Sequence, residues 1–143
     1  MRTGETRAII LGSIIGGCAR YGMDLLFVHG STGPYSILQA TLACNLIGCL
    51  IIGLAAAWIF HHTSHRWHAW VKYGLVTGLC GSFTTFSLFS AQLFQLLEEG
   101  KWSLAASYWG ITLIGGLGLT ALAQHLALPL LGRRQAREII REE

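Results

Sequence analysis

The sequence predicts an all-α membrane protein with four transmembrane helices. Three observations carry that expectation. Four stretches are nearly free of charge, and each is long enough to cross a hydrocarbon layer of about 30 Å. Asp, Glu, Lys and Arg make up only 12% of the chain, where soluble domains carry about 25%. Mean hydropathy is +0.51, and the turn-forming and charged residues fall between the apolar stretches. The 143 residues suffice for a single membrane domain over 1–143.

Met1 to Arg7 is polar and basic. Ala8 to Val28 forms the first span, interrupted by Arg20 and Asp24. Arg20 must therefore snorkel to an interface or face water inside the protein. Gly12, Gly16 and Gly17 supply the small-residue spacing that lets membrane helices approach closely. The run Ala8 to Ala19 lacks a small-x-small cleavage site, so no removable signal is expected. His29 to Tyr35 reads as a turn, punctuated by Gly30, Gly33 and Pro34. Ser36 to Phe60 is the second span, uncharged, with Gln39, Thr41 and Asn45 as its polar residues. His61 to Lys72 reads as an interfacial polar loop, whose Trp67 and Trp70 suit an aromatic belt. Its histidines, His61, His62, His65 and His68, are assigned to that loop rather than to a metal site.

Tyr73 to Leu97 is the third span, and its centre is unusual. Gly78 to Phe89 reads G-L-C-G-S-F-T-T-F-S-L-F. Glycines and clustered hydroxyl residues predict a broken helix. Exposed backbone at membrane depth is tolerated only where protein or a water-filled cavity covers it. Phe86 and Phe89 stand three apart, on one helical face. Glu98 to Lys101 makes a tight charged turn. Trp102 to Leu131 is the fourth span, with Tyr108, Thr112 and Gly116 on one stripe at four-residue spacing. Gly132 ends it, and residues 132–143 form a charged tail.

Lys and Arg concentrate at the N-terminus, the second loop and the C-terminus, so both termini are expected to be cytoplasmic. The net charge of +3 sits at the chain ends, not in a basic patch with aromatics, which argues against nucleic-acid binding. Cys18, Cys44, Cys49 and Cys80 lie in apolar stretches without metal-ligand spacing and read as packing residues. No nucleophile lies in a pattern with a base, so an enzyme is not expected. The polar residues inside the spans are neutral: the Asn45 amide, the hydroxyls of Thr41, Thr84, Thr85, Ser87 and Thr112, and the Tyr108 phenol. With the positive ring edges of Phe86 and Phe89 they suit a small, strongly hydrated anion. Such a set replaces lost water without a fixed cation that would trap the ion.

Three motifs give this chain a resemblance to the Fluc/CrcB family of fluoride channels. They are G-S-I-I-G-G-C-A-R-Y from Gly12 to Tyr21, T-L-A-C-N-L-I-G-C-L-I-I-G from Thr41 to Gly53, and the Gly78 to Phe89 segment, which is similar to G-x-x-G-G-x-T-T-F-S-T-F. The resemblance implies an antiparallel, dual-topology homodimer with two fluoride pores, lying in the bilayer of a cell inner membrane and exporting fluoride passively. It implies that Phe86 and Phe89 line the pores, that Asn45 is the pore asparagine, and that Thr41 and Arg20 belong to a vestibule. Tyr108 and Thr112 would form a polar track. Backbone carbonyls of Gly81 and Thr84 would hold a structural sodium ion, Na+, at the dimer centre. Leu88 replaces the usual Thr of the motif, and Gly116 stands where some members have Ser. The lopsided distribution of Lys and Arg sits awkwardly with a protein that inserts both ways. Two other readings are a small proton-coupled multidrug exporter, for which Asp24 is the only acid inside a span, and a non-transporting membrane scaffold.

Overall fold

The computed structural model describes residues 3–30, 33, 35–61, 70–127 and 129. Among these residues, four helices are long and apolar enough to cross a membrane: Thr3–Gly30, Ser36–Ile59, Trp70–Glu98 and Trp102–Ala127. The architecture is all-helical, as the hydropathy pattern predicts. Most of the histidine loop, including His62, His65 and His68, and the charged tail at 132–143 lie outside the described residues.

The ends of the spans differ from the sequence reading by a few residues, for local reasons. The first helix starts at Thr3 rather than Ala8. Glu5 in its first turn and His29 in its last suit the helix dipole at each end. His29 Nδ1 lies 2.9 Å from the Leu25 carbonyl oxygen, so the predicted turn at His29 and Gly30 is still helix. The third span starts at Trp70, inside the expected loop, as a wide π-helical coil over Trp70–Cys80. Its wider turn is visible in Thr77, whose hydroxyl donates to the Lys72 carbonyl five residues back at 3.0 Å. A second π-helical stretch, Ile111–Gly115, lies in the fourth span.

The third span ends at Glu98 and turns sharply. Lys101 N–H donates to the Leu96 carbonyl at 2.8 Å, and Gly100 N–H donates to Leu97 at 3.1 Å. This pair is the Schellman arrangement, in which the first of the two donors is itself left-handed. Gly100 is that donor, with φ 72°, a conformation costly for any residue with a Cβ.

The first helix packs on the first half of the third through glycine. A Cβ on Gly12 would collide with the Gly74 carbonyl, one on Gly16 with the Leu79 carbonyl, and one on Gly78 would sit 2.6 Å from the Ile9 carbonyl. With lipid on the outside there is little hydrophobic gain from pairing two apolar helices, so close backbone approach and hydrogen bonds hold them. Ser82 Oγ, which donates to Ser13 O at 2.9 Å and to Gly78 O at 2.8 Å, stitches the same seam. Gly17, predicted to share this role, meets nothing within 4 Å, because it points off the seam. The second, third and fourth spans meet in a buried cluster of Phe89, Leu96, Ala105 and Tyr108, with Leu38, Leu42 and Leu93 around it. Ile10, Leu11, Ile14 and Ile15 face outward, as lipid- or subunit-facing positions of a spanning helix do.

Gly16→Val should therefore split the seam, costing roughly 1–3 kcal/mol from overpacking, whereas Gly17→Val should leave stability nearly unchanged. Thermal unfolding of the two variants in detergent, followed by loss of monodispersity, checks this; equal midpoints would contradict the packing.

Candidate functional site

The site is organised by the stretch between Phe83 and Ser87. The α-helical turn Gly81–Phe83 ends at Thr84, which is extended with φ −89° and ψ 160°. Helix resumes over Ser87–Glu98. The hydroxyls here compete with the helical ladder for backbone groups. Thr84 Oγ1 donates back to the Cys80 carbonyl at 2.8 Å. Thr85 Oγ1 accepts from Leu88 N–H at 3.2 Å, which caps the following helix.

Asn45 of the second span supplies what the ladder lacks. Its Oδ1 accepts from Thr85 N–H at 2.9 Å, and its Nδ2 donates to the Thr85 carbonyl at 3.1 Å. One primary amide thus satisfies both backbone groups of a single non-helical residue inside an apolar span, where unpaired backbone groups are costly. The Phe83 carbonyl is met by Arg20 Nη1 from the first helix at 3.3 Å. Among the described residues, the other terminal nitrogen of Arg20 and Asp24 Oδ1 are buried without a hydrogen-bond partner.

Three aromatic rings run on from this point. Phe86 and Phe89 have centroids 6.0 Å apart, tilted by 40°, and Phe89 and Tyr108 are 5.1 Å apart at 46°. Tilted rings offer positive edges as well as faces. Phe86 is 79% exposed and Phe89 5% exposed, so the series leads from an open surface into the bundle. Behind Phe89 lies a polar relay. Tyr108 Oη donates to Gln92 Oε1 at 2.7 Å, Gln92 Nε2 donates to Thr41 Oγ1 at 3.2 Å, and Thr41 donates to the Ile37 carbonyl at 3.0 Å.

The structure brings most of the sequence-predicted residues together. Asn45, Thr84, Phe86, Phe89, Thr112 and Thr120 line one open groove of about 320 Å³. Thr41 and Tyr108 stand behind it, joined through Gln92. Arg20 stands at the Phe83 end, and Gly81 is exposed. Gly116 lies in the groove wall, where a Cβ would come within 3.1 Å of Cys49 Sγ. Leu88 is turned to a different cavity.

One expectation needs correction. Thr41, Thr84 and Thr112 are not free donors. Each hydroxyl proton goes to the carbonyl four residues earlier, at 3.0, 2.8 and 2.7 Å. That carbonyl is the nearby acceptor in each case, so Thr84 and Thr112 present lone pairs to the groove rather than hydrogens, and Thr41 turns its lone pair to Gln92. Tyr108 likewise spends its proton on Gln92. The sequence reading also missed Gln92 and Thr120. Gln92 was detectable, being an amide inside an uncharged run, three residues after Phe89 and so on its face. Thr120, which donates to Gly116 O at 2.9 Å and Cys49 O at 3.2 Å, continues the four-residue stripe from Tyr108.

Comparison with known proteins places these features in a family. The family described as CrcB-like protein, Camphor Resistance (CrcB), matches residues 7–124. A protein of Bordetella avium is 42% identical over 126 residues, which is 88% of this chain and 94% of the relative. One of Bordetella petrii is 39% identical over 115 residues, 80% of this chain and 84% of the relative. Both carry the name fluoride-specific ion channel FluC. A Listeria monocytogenes protein named fluoride-specific ion channel FluC 2 is 37% identical over 123 residues, 86% of this chain and 90% of that one.

Asn45→Ala should leave the Thr85 N–H and C=O unpaired and cost roughly 1–3 kcal/mol. Asn45→Asp should be no better, because a carboxylate cannot donate to the Thr85 carbonyl. Unfolding midpoints in detergent test both; a midpoint shared with the wild type would remove the brace from the account.

Proposed function

The chain belongs to the CrcB-like family, and from that premise we propose that it is a fluoride-selective channel. Its seat would be the inner membrane of a cell, where it lets fluoride leave passively down its gradient. The observation that carries the proposal is the tilted series Phe86–Phe89–Tyr108 beside Asn45. Together these offer an uncharged lane in which ring edges and an amide N–H stand in for part of the ion's water shell. Asn45, which lines the same groove as Phe86 and Phe89, keeps one N–H beyond its bond to Thr85. Because none of the described residues lining this groove carries a formal charge, an ion would be bound weakly enough to leave. Gln92 holds the Tyr108 hydroxyl, and Thr41 holds Gln92, so the inner end of the lane is fixed by hydrogen bonds rather than by packing alone.

A single chain leaves Phe86 exposed and the groove open on one side. We take the working unit to be an antiparallel homodimer, in which a second copy closes the groove. The Thr84–Phe86 interruption of the third span is then the feature on which two copies meet. Two observations support a sodium ion there. Thr84 is extended, which turns its carbonyl away from the helix ladder, and Gly81 is exposed with nothing within 4 Å of a would-be Cβ. Carbonyl oxygens are suitable ligands for a hard cation. Bound, the ion would neutralise clustered carbonyl dipoles at the two-fold axis and so hold the copies together.

Two measurements test these statements. Liposomes holding the purified protein should lose a fluoride gradient while chloride is retained; equal rates for the two anions would overturn the proposal. Phe89→Ile should slow fluoride by about tenfold, equivalent to about 1.4 kcal/mol of barrier, with the dimer intact. For assembly, Gly81→Val should convert the dimer to a folded monomer, since the monomer has room for the side chain. Replacing sodium by a large organic cation should do the same. A Gly81→Val protein that elutes as a dimer and is indifferent to sodium would sink the cation assignment.

A further inference from the structure

A second cavity, of about 470 Å³, opens beside the turn joining the third and fourth spans. Tyr35, Leu88, Gln92, Gln95, Glu99 and Lys101 are among its walls. Glu99 and Lys101 are about two-fifths exposed and mark its rim, while Gln92 is partly buried and marks its floor. Gln92 is also the residue that accepts from Tyr108 and donates to Thr41. The cavity therefore ends on the polar relay behind Phe89, on the far side from the Phe86 groove.

The rim is built rather than accidental. The Schellman turn at Gly100 sets Lys101 two residues from Glu99, and Lys101 Nζ donates to Glu99 Oε2 at 2.6 Å. Gln95 Nε2 donates to the other carboxylate oxygen at 3.1 Å, and the ammonium lies 5.1 Å from the centre of the Tyr35 ring. The bond to Glu99 raises the Lys101 ammonium above its usual range, and the same bond, helped by Gln95, lowers the Glu99 carboxyl. Both groups are thus charged at neutral pH. Lys101 is also the sole Lys or Arg of residues 29–36 and 98–101. Glu98, the remaining charge of the turn, does not line the cavity.

We propose that this cavity is an anion-collecting mouth in which Lys101 draws small inorganic anions from solution and Glu99, a tethered carboxylate, competes with them for the ammonium. An arriving anion takes the place of Glu99 on Lys101, then passes the Gln95 amide to Gln92. The destination of that route rests on the proposed fluoride channel, but the electrostatics of the mouth do not. Leu88, which replaces a hydroxyl residue of the family motif, makes one wall of this mouth apolar and leaves the two glutamines as its polar path.

Two readouts separate the claims. In the first, Gln95→Cys, in a background whose native cysteines are replaced, is labelled with anionic and cationic thiol reagents of equal size. At low salt Glu99→Gln should speed the anionic reagent relative to the cationic one, and Lys101→Gln should slow it. Each change should be roughly two- to tenfold near 0.01 M salt and vanish near 1 M, where the screening length falls to about 3 Å. Glu98→Gln should shift the ratio less than Glu99→Gln. In the second, fluoride efflux from liposomes should follow the same order: fastest for Glu99→Gln, then wild type, then Lys101→Gln. Labelling ratios that ignore both substitutions at low salt would overturn the mouth. Flux that is normal but insensitive to both would overturn its place on the pathway. Labelling that responds while wild-type liposomes retain fluoride would sustain the mouth and refute the channel.

Discussion

The pairing of the Asn45 amide with both backbone groups of Thr85 is the interaction on which the rest of the site depends. A transmembrane segment can leave the helical ladder only if something else satisfies the freed N–H and C=O. Asn45 does this with one side chain at 2.9 and 3.1 Å. The position is demanding. Gln is a methylene longer, Asp cannot donate, and Ser or Thr cannot span both groups. Once Thr85 is held, Phe86 is carried outside the helical register that precedes it, and the next helix starts at Ser87. Phe86 and Phe89 were expected three apart on one helical face, within a span whose helix was expected to be broken. They meet across a helix start, which is why one is open and the other buried while their rings remain 6.0 Å apart.

The brace works only because the first and second helices come close enough, and that closeness is set by missing side chains. Gly12 and Gly16 let the first helix touch the third backbone to backbone. Gly48 does the same on the other side, where a Cβ would strike the Thr84 methyl. Arg20 reaches the Phe83 carbonyl from the first helix, and Asn45 reaches Thr85 from the second. The irregular stretch is thereby held from both flanks by polar groups, within a seam that small residues have made narrow.

Much of this was legible in the chain. Three spans follow from charge-free length, the first from an apolar run carried past Arg20 and Asp24, and the cluster of Gly, Ser and Thr in the third announces where regular helix is hardest to sustain. Asn45 was identifiable as a buried amide in need of partners, though not which backbone it would serve, because the distance from 45 to 85 is closed only by tertiary packing. Gln92 escaped notice because an amide near a span's end looks interfacial until Tyr108 and Thr41 are seen on either side of it. The threonines were misjudged for a related reason. Their composition gives hydroxyl donors, but local geometry directs those protons to carbonyls four residues back, and spacing along a sequence does not say which acceptor wins.

That last point bears on how an anion is accommodated. If the hydroxyls of Thr84 and Thr112 point inward to the backbone, an ion in the groove meets lone pairs from them, and lone pairs repel it. Attraction then falls to the Asn45 N–H and to ring edges, each individually weak. A threonine hydroxyl turned toward the ion would gain a charge-assisted bond, stronger than the neutral bond it gives up, while the carbonyl it leaves retains its ladder partner and loses only a second donor. The exchange is therefore close to balanced, and it costs only a hydroxyl rotation. In the proposed channel, a lane built from such residues is self-satisfied when empty and becomes a donor surface when an anion enters. A fixed cation could not combine those properties, because it would hold the ion.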